Sequence, residues 1–191
     1  VNAAAHQLKG SHQKSRGHYD LSGAEADALA LAEAGMKPVL LEARAFGGAV
    51  TGGSLAAIGT HMHGREEFDI LDYSRDRWRA ISNASQSGIE YTVCGKMGFI
   101  LNDAELAAGE SLVAQEQSQG ARSELLKPEQ AQQHERLLRG PILAATYDPD
   151  TATVNPFRAV RALVQAARKA GAQLFENTRV ARLLVESGCI I

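Results

Sequence analysis

The sequence predicts an α/β fold, with a βαβ framework at the two ends of the chain and an α+β block inserted between them. Three observations predict it. An Ala/Leu/Glu-rich stretch over residues 24–34 has high helix propensity, stops at Gly35, and leads into the short apolar run Val39-Leu40-Leu41. Residues 89–147 alternate short apolar runs with further helical stretches. A sharply bounded helix, opened by Asn155 and Pro156 and closed by Gly171, is followed by more apolar runs.

The bulk composition narrows the class. With 191 residues, 45% hydrophobic and 22% charged, the chain has the makeup of one medium or two small globular domains. A formal net charge of −2 provides no electrostatic attraction for nucleic acid or an anionic membrane. No apolar run reaches the length of a membrane span. Residues 1–18 lack the apolar core of a secretory signal, so a cytoplasmic protein is the default expectation. Cys94 and Cys189 form no metal-ligand pattern or disulfide framework, and both read as core filler.

Taken in order, residues 1–17 hold almost no large apolar side chains and are expected to be a disordered tail, where His6 and His12, like the adjoining His18, match no metal spacing. Tyr19–Ser22 is a short candidate strand. Gly23 is the only glycine between that strand and the helix, so the Gly-x-Gly-x-x-Gly turn of a dinucleotide fold is absent as written. Helix 24–34 follows, then Val39–Leu41, whose continuous apolar run reads as a buried parallel strand. Glu42 stands at the end of that strand, where an acid can hydrogen-bond the hydroxyls of a nucleotide ribose. The small-residue run from Gly47 to Ser54 allows close approach of backbone to a flat cofactor or a pyrophosphate. His61 and His63 are expected to line a cofactor pocket or to lie on a loop surface, a metal site being disfavoured for want of a third ligand.

Residues 66–86 form an amphipathic pattern with Trp78 as a packing anchor. Two runs, 89–94 and 98–101, read as a hairpin across Gly95. Helix 103–119 is capped by Asn102 or Asp103, an extended piece covers 123–128, and Pro128 opens a short helix to residue 138. A strand over 142–147 meets a turn at 148–151. Asn155 then caps the helix 156–170, and strands are expected over 173–176 and 178–185. The last residues, Glu186 to Ile191, read as a turn and the opening of a strand that is not finished. The expected organisation is a tail over 1–17, a nucleotide-binding part over 18–88, an insertion over 89–153, and a second, truncated nucleotide-binding part over 154–191.

Three blocks carry a resemblance to a known family. They are His18-Tyr-Asp20 with the Ala-rich helix and Val39-Leu-Leu-Glu-Ala-Arg44; Gly47-Gly-Ala-Val-Thr-Gly-Gly-Ser-Leu-Ala-Ala-Ile-Gly-Thr-His61; and Ala145-Thr-Tyr-Asp-Pro-Asp-Thr-Ala-Thr-Val-Asn-Pro-Phe157, continuing through Ala170-Gly-Ala172 to Phe175-Glu-Asn-Thr-Arg-Val180. In this order and spacing they resemble the FAD-dependent amine oxidases of the glycine oxidase and D-amino-acid oxidase family. The resemblance implies a Rossmann-like FAD-binding domain interleaved with an α+β substrate domain, incomplete at the C-terminus. It implies FAD as cofactor, with Glu42 on the adenosine ribose, Ala43 and Arg44 lining that site, and Gly48, Val50 and Thr51 at the pyrophosphate region. Leu55, Ala56 and Ala57 would run past the flavin, Val180 would touch the adenine through its backbone, and Gly23 would be the remnant of the glycine turn. On its own, Val180 reads as a core strand valine.

The sequence departs from the family in its first strand and glycine turn, which are short by about six residues, and in being roughly half the family's length. No catalytic residue is assigned. The implied activity is oxidation of a small amine or amino acid to an imine by hydride transfer to flavin, with a homo- or hetero-oligomer possible. The alternative is a truncated or degenerate relative without activity alone, or a fragment needing a partner chain. An NAD-binding protein fits the run 44–59 less well.

Overall fold

The structure, a computed structural model, describes residues 23–48, 51–85 and 88–190. The expected tail 1–17, the candidate strand Tyr19–Ser22 and Val50 lie outside them. The chain divides into two compact units, one drawn from Val1–Ser54 and Val160–Ile191, the other from Leu55–Ala159. Both mix helices and strands, as the α/β expectation requires.

In the first unit, α1 (Ala24–Glu33) buries Ala28, Leu29 and Ala32 and packs against β1 (Val39–Leu41). Gly35, at φ 81°, turns the chain out of the helix, the left-handed conformation that a Cβ disfavours. β1 pairs in parallel with β8 (Gln173–Phe175), with Leu40 opposite Leu174. The expected burial of β1 is corrected: Val39 and Leu41 are 57% and 42% exposed. A parallel strand is buried when neighbours cover both its faces and edges, and β8 is the one strand paired with β1 among the described residues.

Residues Val160 to Lys169 of helix α5 (Pro156–Lys169) also belong to this unit and bury Val160, Leu163, Val164 and Ala167, which recur three and four apart. The expected strand over 178–185 is not formed. That stretch runs as exposed irregular chain up to the small hairpin of β9 (Val185–Glu186) and β10 (Cys189–Ile190).

The second unit carries two three-stranded sheets. In one, β7 (Ala152–Thr153) lies between β2 (Ala57–Ile58) and β3 (Thr92–Val93). In the other, β6 (Ala144–Asp148) lies between β4 (Lys96–Ile100) and β5 (Glu124–Leu126). All four pairings are antiparallel. The expected hairpin across Gly95 is therefore corrected, because the two runs join different sheets. The N–H groups of Cys94 and Gly95 both donate to the carbonyl of Thr151, and Gly95 (φ 73°) redirects the chain.

Helix α3 (Asp103–Ser118) starts where Asn102 Oδ1 accepts from the Glu105 N–H at 3.0 Å. It approaches the β6 sheet closely at Gly109, whose Cβ, if present, would stand 2.6 Å from Ile100 Cδ1. Helix α4 (Pro128–His134) closes a small core of Leu126, Ala131 and Ala145, with Met97, Leu138, Ile142 and Tyr147 around it. Helix α2 (Phe68–Ala84) buries Phe68 and Trp78, so Trp78 is a packing anchor as the pattern predicts. Cys94 is exposed and is not core filler.

Candidate functional site

A pocket of about 210 Å³ opens in the first unit, where the N-terminus of α1 meets the end of β1. Of the residues singled out in the sequence, Gly23, Glu42, Arg44, Gly48 and Thr51 line it together, and Glu25 joins them. Its size suits one part of a large ligand, such as a sugar, since whole ligands occupy roughly 300 Å³ or more.

The loop after β1 owes its shape to the chain after β8. Glu42 donates its N–H to the Phe175 carbonyl and accepts at its own carbonyl from the Thr178 N–H. The Asn177 N–H donates to Arg44 O, and the Phe46 N–H donates to Glu176 Oε1 at 2.7 Å. Gly47 sits at φ 73°, and its Cβ position is 3.2 Å from Val160 Cγ2, so both conformation and space call for glycine. Within this frame Glu42 Oε1 accepts from the Arg44 N–H at 2.7 Å, which orients the carboxylate. Its second oxygen has no hydrogen bond among the described residues and is available to a donor.

The helix end of the pocket has a different character. Gly23 is the N-cap of α1 and has no side chain to offer the first-turn N–H groups. Glu25 folds back over it: a Cβ on Gly23 would stand 2.4 Å from Glu25 Oε2 and 3.8 Å from Thr51 Oγ1. Glu25 is 7% exposed. No hydrogen bond or ion pair holds its carboxylate among the described residues.

These groups match the parts of FAD unequally. A carboxylate with a spare acceptor at the end of a parallel strand fits the hydroxyls of a ribose. A diphosphate needs N–H donors and the positive end of a helix, and there the carboxylate of Glu25 already stands. The adenosine portion fits the described residues; the diphosphate does not.

The remaining predicted site residues are dispersed. Ala43 is exposed on the loop after β1, between Glu42 and Arg44. Val180 is 52% exposed in irregular chain, two residues past the Thr178 N–H that meets Glu42 O, so it is no core strand valine. Leu55, Ala56 and Ala57 belong to the second unit. There Leu55 is 77% exposed, Ala56 is buried at φ 51°, and Ala57 begins β2.

His61 is in neither of its expected places. It is buried in the second unit, with Nδ1 2.8 Å from Glu116 Oε2 and Nε2 3.0 Å from Thr146 Oγ1. Glu116 also accepts from the Met62 N–H at 2.8 Å and from the Ser123 hydroxyl, and Lys96 Nζ donates to the His61 carbonyl at 3.0 Å. The order hydroxyl, imidazole, carboxylate is that of a nucleophilic triad. Thr146, however, is buried in the middle strand of its sheet, so its hydroxyl meets no substrate. The cluster is structural. Burial pushes the Glu116 carboxyl upward, but the bonds from His61, Ser123 and Met62 outweigh it and hold the group below its ordinary range. Burial lowers Lys96, against the pull of Glu116 and Asp148.

Among the described residues no group of three or more His, Cys, Asp or Glu could hold a metal, and no helix is long and apolar enough to cross a membrane. Glu25 is the pocket residue that sequence reasoning missed; its signal was an acid in the first helical turn, two positions after Gly23.

Comparison with known proteins adds the family. The profile described as "DAO: FAD dependent oxidoreductase" matches residues 26–190. Curated proteins include no match. Among solved structures, the chain is similar to L-proline dehydrogenase from P. horikoshii, at 24% identity and TM-score 0.81, covering 87% of this chain and 44% of that one. It is similar to glycine oxidase from Bacillus cereus ATCC 14579, at 21% identity and TM-score 0.74, covering 85% and 46%. L-amino acid deaminase from Proteus myxofaciens, in complex with anthranilate, follows at 18% identity and TM-score 0.76, covering 87% and 38%. At these identities the likeness is one of fold, and the chain spans less than half the length of each.

Proposed function

The chain belongs to the DAO family of FAD-dependent oxidoreductases, and from that premise we propose that its first unit receives the adenosine portion of FAD and that the whole protein oxidises a small amine or amino acid to an imine. The observation that carries the reading is Glu42: a carboxylate at the end of a parallel strand, fixed by the Arg44 N–H and keeping one oxygen for a ligand, inside a pocket of sugar size. When bound, the flavin would supply the hydride acceptor, which side chains cannot. The chain's own part is to hold and orient: Glu42 accepts from the ribose hydroxyls, the loop of Arg44 to Gly48 walls the sugar, and Glu176 keeps that loop closed through the Phe46 N–H.

The second unit, Leu55–Ala159, would contact substrate, in keeping with the amino-acid names of the similar structures. A small amine or amino acid is the substrate class, the protein is expected in the cytoplasm, and assembly with a second copy or another chain is compatible with the reading. A second reading is favoured by Glu25: a carboxylate at the phosphate end of the pocket belongs to a relative that does not retain the dinucleotide alone.

Calorimetric titration with adenosine tests the first reading. Adenosine binds, and Glu42→Gln weakens it at least about tenfold, the loss of a charge-assisted hydrogen bond of roughly 1.5–3 kcal/mol. Equal affinity in both proteins overturns the assignment. Incubation with FAD followed by gel filtration separates the two readings, because a yellow protein excludes the second and a colourless one excludes retention of FAD by this chain.

A further inference from the structure

We propose that Glu25 makes the Glu42 pocket discriminate against phosphate, so that the site takes the adenosine of a nucleotide and resists the diphosphate attached to it. The inference rests on the adenosine reading and deepens it. It stands on two independent observations. The first is position: Glu25 Oε2 lies over the N-cap of α1, 2.4 Å from where a Cβ of Gly23 would be, so the carboxylate covers the helix end that an incoming phosphate would seek. The second is environment: Glu25 is more than nine-tenths buried, lines the pocket, and has no hydrogen bond or salt bridge among the described residues.

Charge counting in the pocket agrees. Among the described residues, the charged side chains in its lining are Glu25, Glu42 and Arg44, two carboxylates against one guanidinium. Arg44 is exposed, and water and salt screen its attraction for phosphate. Glu25 stands at the helix end where a phosphate would seat, so its repulsion acts at the shorter range. A helix N-terminus has one region of positive potential, and here the chain's own acid uses it. A ligand bringing hydroxyl or amino donors gains from both carboxylates, whereas one bringing a diphosphate must displace Glu25 or bear its repulsion.

The test titrates the full chain and its Glu25→Gln variant with adenosine and with ADP. In the unaltered protein ADP binds more weakly than adenosine. Raising KCl from about 20 mM to about 500 mM narrows that gap, because salt screens repulsion. Glu25→Gln tightens ADP at least about tenfold and leaves adenosine within about twofold. An unaltered protein that prefers ADP, with the preference falling as salt rises, overturns the proposal, as does a folded Glu25→Gln protein with unchanged ADP affinity. Should circular dichroism show the variant unfolded, the salt series on the unaltered protein decides by itself. If adenosine fails to bind, or Glu42→Gln leaves its affinity untouched, the adenosine reading fails instead, a result distinct from a failure at Glu25.

Discussion

Glu116 is 1% exposed, and it remains there as an acceptor because His61, Ser123 and the Met62 N–H all donate to its two oxygens. Its carboxyl is held below the ordinary value, so the folded state binds its proton more weakly than the unfolded chain does. The stability it contributes is therefore complete above the unfolded carboxyl value, about 4.3, and is lost as pH falls through the lower folded value. Asp150, lowered chiefly by its hydrogen bonds from Arg122, acts in the same direction from a more exposed position. Glu116→Ala leaves the His61 ring without its partner in the core and is expected to cost about 3–5 kcal/mol in urea unfolding at neutral pH. The same variant loses less stability than the unaltered protein between about pH 5 and pH 3. Coincident acid-unfolding curves for the two proteins would contradict this account. None of the cluster was legible in the sequence, since its members stand at 61, 116, 123 and 146, and only folding brings them within bonding distance.

At the scale of elements, local signals were read well and pairing was read poorly. Asn102 and Asn155 cap α3 and α5 as their sequences predict, through Glu105 N–H at 3.0 Å and Arg158 N–H at 3.2 Å. Caps are legible because donor and acceptor lie three residues apart. Asn155→Ala is expected to cost about 1 kcal/mol, seen as a lower thermal midpoint. The run across Gly95 shows the opposite case. Two apolar runs flank a glycine as in a hairpin, yet β3 pairs with β7 and β4 with β6. The strand β7 is two residues long and gave no pattern of its own, so its competition for β3 was invisible. Gly95→Ala places a Cβ at φ 73° and 2.7 Å from the Tyr147 ring. The left-handed conformation alone costs about 1–2 kcal/mol, and the ring must move as well, so denaturant midpoints should fall by at least that equivalent.

For the whole molecule, a ligand that binds the folded pocket raises the stability of the fold by mass action. Adenosine at 100 times its dissociation constant is expected to add about 2.7 kcal/mol, read as a higher thermal midpoint, and a tenfold weakening by Glu42→Gln cuts that rise to about 1.4 kcal/mol at the same concentration. A midpoint indifferent to adenosine would speak against the pocket. The α/β class, the helices at 24, 103 and 156, and the acid at the end of β1 were all determined by the sequence, because propensity, capping and periodicity act within a few residues. The family was legible too, from three short blocks in order. Only the tertiary structure decided that β1 is half open to solvent, that His61 is a core residue, and that Glu25 turns back into the pocket that Glu42 opens. Burial and partner choice depend on groups distant in the chain, and a linear pattern carries the demand for a partner without saying which residue meets it.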